Sequence, residues 1–75
     1  MRDGVTEFFA ANEAWLTRVL EEGRRARALR FEGPASAIAA FLVSALEGAM
    51  LVARSYGSLS RFESVVTKLL ADLKS

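Results

Sequence analysis

The sequence predicts an all-α fold of three helices, and three observations carry that expectation. Glycine and proline divide the chain at Arg30–Pro34 and again at Tyr56–Ser60. Between these joints the apolar residues recur at the i, i+3, i+4 spacing of a helix and do not alternate as in a strand. The chain has 75 residues, enough for one small domain, and joints this short favour antiparallel neighbours.

The first helix is expected over about residues 3–28. Val5, Phe8, Phe9, Asn12, Leu16, Val19 and Leu20 form one stripe, with Glu7, Ala14, Arg18, Glu21 and Arg25 opposite. Asp3 can cap the N-terminus, and the arginines of the last turns suit the negative end of the helix dipole. Asn12 stands out as an amide within an apolar stripe. It requires hydrogen-bond partners if covered, water at the stripe's edge, or a ligand.

The second helix is expected over 34–56, with Pro34 at its first position and Gly57 ending it. Ser36, Ala37, Ser44, Glu47, Gly48, Arg54 and Ser55 confine the polar and small residues to about a third of its circumference. Ile38, Phe41, Leu42, Val43, Leu46, Ala49, Met50 and Val52 supply much of the rest. Such a helix needs neighbours on more than one side. Ala37, Ser44, Gly48 and Ser55 align as small side chains that let another backbone come close. Glu47 and Arg54 lie about 20° apart on the wheel but two turns apart along the axis, beyond an intrahelical pair. Solvent, or a partner on another helix or chain, would satisfy each.

The third helix is expected over 59–73, after Ser58 or Ser60 as N-cap, and Ser60 with Glu63 reads as a capping box. Phe62, Val66, Leu69, Leu70 and Leu73 form its apolar face, widened by Val65. Arg61, Ser64, Lys68 and Asp72 lie opposite.

Composition narrows the function. Ten Lys and Arg against nine Asp and Glu give a net charge of +1, without the basic excess that phosphate-backbone binding leaves in a sequence. The absence of Cys and His excludes thiolate and His-based nucleophilic catalysis and the common zinc sites. No enzyme, cofactor or metal site is expected. Arg24, Arg25, Arg27 and Arg30 form the densest charge cluster, read as a solvated helix end offset by Glu21, Glu22 and Glu32. Glu21 and Glu22 are expected to pair with Arg18, Arg24 and Arg25 at helical spacing. The N-terminal residues are too acidic for a signal peptide, and a cytoplasmic chain is expected. Ala35–Ala53 approaches membrane-spanning length, but Glu47 near its middle and the many Ala, Ser and Gly residues favour a helix packed in protein. With neither disulfide nor metal to staple so small a core, association with a second chain is expected.

Three stretches in order, WLTRVLEEG ending at Gly23, ALEGA at Ala45–Ala49 and FESVVTKLLADL at Phe62–Leu73, resemble the C-terminal regulatory domain of TetR-family transcriptional repressors. Arg27 stands where many members carry Gly. The resemblance implies a homodimer in which the last two helices of each subunit form a four-helix bundle. On that view Ser44, Gly48, Leu51, Ser55, Phe62, Val66, Leu69 and Leu73 are interface candidates. It further implies a small, apolar effector, for which Phe8, Phe9, Asn12, Leu16, Phe41 and Met50 are candidates by their chemistry. The helix-turn-helix domain of such repressors has no counterpart in these residues. DNA contact would then require a missing N-terminal domain, and the expectation is a fragment of a longer regulator.

Overall fold

The computed structural model describes residues 4–74 and consists of three α-helices, α1 (Gly4–Arg25), α2 (Ala35–Tyr56) and α3 (Leu59–Leu73). The fold is all-α. The expected Asp3 cap lies outside the described residues.

The first helix is shorter than the expected 3–28, ending at Arg25. Arg27 adopts the left-handed conformation, φ 62°. Its N–H donates to Arg24 O at 3.1 Å, and the Ala28 N–H donates to Gly23 O at 2.9 Å. This pair of bonds is a Schellman closure, which satisfies helix-end carbonyls and turns the chain away. The same closure ends α2, where Gly57 has φ 61° and Gly57 and Ser58 donate to Arg54 O and Ala53 O. Glycine meets the left-handed requirement without steric cost, whereas Arg27 meets it with a Cβ.

Residues 26–34 then run as an ordered connection. Leu29 forms an antiparallel bridge with Lys74, and the Arg30 N–H donates to Leu73 O at 2.7 Å. Arg24 donates from Nη1 to Gly33 O at 2.8 Å, and its guanidinium lies 4.2 Å from the centroid of the Phe31 ring. One member of the arginine cluster therefore fastens the turn. The ion pair among the described residues is Lys68–Asp72 at 3.2 Å. The pairs expected of Glu21 and Glu22 do not form, because Arg24 points into the turn and the remaining side chains are exposed.

Pro34 precedes α2 as its N-cap, with φ −71° and ψ 139°, so the helix starts one residue later than expected. Ser58 is the N-cap of α3. Ser60 lies within the helix, and its hydroxyl meets that of Ser58 at 3.0 Å, so the Ser60–Glu63 capping box is not the cap. The Arg61 guanidinium stacks 3.7 Å from the centroid of Tyr56 across the α2–α3 corner.

The middle helix is also central in space. α1 and α3 both pack on α2 and hardly on one another, giving Cα extents of 38 × 35 × 15 Å. Leu20 of α1 meets Ala35, Ala39 and Leu42 of α2, with Leu16, Leu29, Phe31, Ile38, Leu69 and Leu73 around them. Since Leu69 and Leu73 reach the beginning of α2 while Leu59 and Phe62 lie beside its end, α2 and α3 are antiparallel. One layer of helices cannot enclose a large core. Leu51 and Leu59 remain 70% and 71% exposed, and Val5, Phe8, Trp15, Phe41 and Tyr56 are exposed as well. By length and composition alone, Ala35–Tyr56 could also cross a bilayer.

Candidate functional site

The stripe of α1 meets α2 in a shallow groove of about 230 Å³, lined by Phe8, Phe9, Asn12, Trp15 and Leu16 from α1 and by Val43, Leu46 and Glu47 from α2. Helical spacing stacks the α1 contributors, Phe8 to Leu16, over just more than two turns. The Phe8 and Phe9 rings meet edge to face, with centroids 5.7 Å apart. Asn12 Nδ2 donates to Phe8 O at 2.8 Å, so the amide back-bonds to its own helix at the groove's edge. Glu47 supplies the one charged side chain of the lining. The chemistry available is apolar contact, aromatic stacking and one carboxylate.

Four of the six effector candidates come together here. Phe41 and Met50 do not join them. Phe41 is 59% exposed, and Met50 lines a different hollow between α2 and α3, with Ala53, Arg54, Leu59 and Phe62. Wheel projection placed both on the apolar two thirds of α2, yet α1 covers only part of that arc. Val43, Leu46 and Glu47 complete the groove. Their signal was weak, because nothing in a helix apolar over most of its surface marks the side that α1 will take.

The interface candidates also separate. Ser44, Gly48, Leu51 and Ser55 are all exposed along α2. Ser44 and Gly48 line a depression beside α3 with Val52, Arg61 and Val65. Leu69 and Leu73 pack against the chain's own core, and Phe62 and Val66 are half-buried. Glu47 and Arg54 are exposed, and neither forms an ion pair among the described residues.

Comparison with protein-family models, curated proteins and solved structures finds no match to this chain.

Proposed function

We propose that the chain is a homodimerisation module with an apolar-effector groove, of the kind used by TetR-like transcriptional regulators, with no enzymatic activity. The observation that carries the association is the open apolar surface. Leu51 at 70%, Phe41 at 59% and Val52 at 46% exposure lie along the helix that forms the centre of the layer. Exposed apolar side chains in such number on a small domain mark an interaction surface. The effector reading is supported by the aromatic lining of the α1–α2 groove. It assigns cytoplasmic localisation and no operator contact to these residues.

Sedimentation equilibrium tests the association: a species near twice 8.2 kDa at micromolar concentration is expected, and a folded monomer would remove the reading. A second reading, a helical homodimer without a ligand, is favoured by groove size. About 230 Å³ falls below the roughly 300 to 1,000 Å³ of small-molecule pockets. A melting temperature unmoved by apolar compounds would decide for it. Recovery of the chain with membranes after alkaline washing would instead assign α2 to a bilayer.

A further inference from the structure

We propose that α2 pairs antiparallel with α2 of a second copy of the chain, each Leu51 seated over the partner's Gly48 and each Glu47 opposite the partner's Arg54. This rests on the homodimer reading and gives it a register.

The exposed residues of α2 repeat with a period of seven. Phe41, Gly48 and Ser55 occupy one seam position, Ala37, Ser44 and Leu51 the other, at the alternating three- and four-residue spacing of a helix pair. All six are exposed. Within this seam Leu51 is a knob, 70% exposed, and Gly48 is a hole, since a Cβ built there meets nothing within 4 Å. A two-fold axis beside Ala49 and Met50 puts each knob over the other chain's hole and sets Ser44 level with the partner's Ser55.

Charge fixes the orientation independently. Glu47 and Arg54, seven residues apart, share the position that flanks the seam on one side. In a parallel pair this flank would face the opposite flank of the partner, occupied here by Ala45 and Val52. In an antiparallel pair with a perpendicular two-fold axis, the same flank of each chain faces its own copy. Glu47 then approaches the partner's Arg54, and Arg54 the partner's Glu47. Neither has an ionic partner among the described residues, and Glu47, Gly48, Met50, Leu51 and Arg54 together line one shallow depression on the surface of α2. The occupant is a second copy because the surface is complementary to itself in both shape and charge.

The test is a charge-swap experiment on the full chain, read by sedimentation equilibrium. Glu47→Arg or Arg54→Glu alone turns two attractive contacts into two repulsive ones and should raise the dimer dissociation constant about tenfold or more. Mixing the two variants restores opposite charges at both contacts and should give a heterodimer at least as tight as the natural homodimer. Helicity by circular dichroism should be unchanged, because both side chains are exposed. As a measurement independent of charge, chains carrying Gly48→Cys mixed with chains carrying Leu51→Cys should form a disulfide-linked heterodimer, whereas Arg18→Cys should not join it. A natural dimer indifferent to both charge reversals and uncrosslinked by the cysteine pair overturns this register while leaving the homodimer reading intact. A monomeric natural chain overturns both.

Discussion

Gly23 and Leu29 occupy adjoining space so tightly that a Cβ on Gly23 would lie 2.7 Å from Leu29 Cγ, closer than real side chains approach. Leu29 belongs both to the core and to the bridge with Lys74. The glycine therefore lets the connection fold back against α1. Gly23→Ala gains about 1 kcal/mol of helix propensity but costs roughly 1 to 3 kcal/mol in overpacking. A net loss of about 1 kcal/mol is expected in urea unfolding. A gain would show that Leu29 yields freely.

Arg27 occupies a backbone conformation in which Gly57 closes the next helix. Arg27→Gly should stabilise the fold by about 1 kcal/mol, raising the melting temperature by about 4 to 8 °C in a domain of this size. Arg27→Ala retains a Cβ and should give much less. Equal effects of the two substitutions would locate the cost in the Arg side chain and not in the backbone.

Leu20 is the large side chain buried most completely, at 2% exposure. Leu20→Ala should remove about 2 to 5 kcal/mol, which is comparable with the whole stability of a domain this small. Loss of the cooperative thermal transition in circular dichroism is the expected result. A variant that still melts cooperatively within a few degrees of the natural chain would contradict the position of the core.

Trp15, the single tryptophan, lines the α1–α2 groove while 57% exposed. Binding of a neutral aryl probe such as N-phenylnaphthylamine should shift its emission to the blue. Leu16→Glu adds a charge to the lining and should weaken the probe about tenfold. An emission spectrum unchanged at saturating probe would exclude the groove as its site.

Much of the fold was legible because local physics writes it into the chain. Pro34 and Gly57 bracket α2 through a fixed φ and a free one, and the α1 stripe anticipated both Leu20 in the core and Phe8, Phe9, Asn12 and Leu16 in one groove. The end of α1 was harder to read. Arginine is not a residue type that marks a left-handed position, and the resemblance hinted at one only through the Gly that many members carry there; the conformation goes with the bonds that the Arg27 and Ala28 N–H groups donate to Arg24 O and Gly23 O. Ser60 likewise looked like a cap, but the chain turns at Gly57 and leaves Ser58 at the helix start.

The three helices, their order and the amphipathic faces of α1 and α3 follow from periodicity and turn chemistry, which act over a few residues. Which side of α2 each neighbour covers depends on the packing of the whole chain. Its two thirds of apolar circumference offers several equivalent seats, and packing of Leu20 on Ala35, Ala39 and Leu42, together with Leu69 and Leu73 from the other side, selects among them. That choice brings Val43, Leu46 and Glu47 to the groove and leaves Phe41, Leu51 and Val52 in solvent. Burial depends on where the other helices pack, which no residue of α2 records alone.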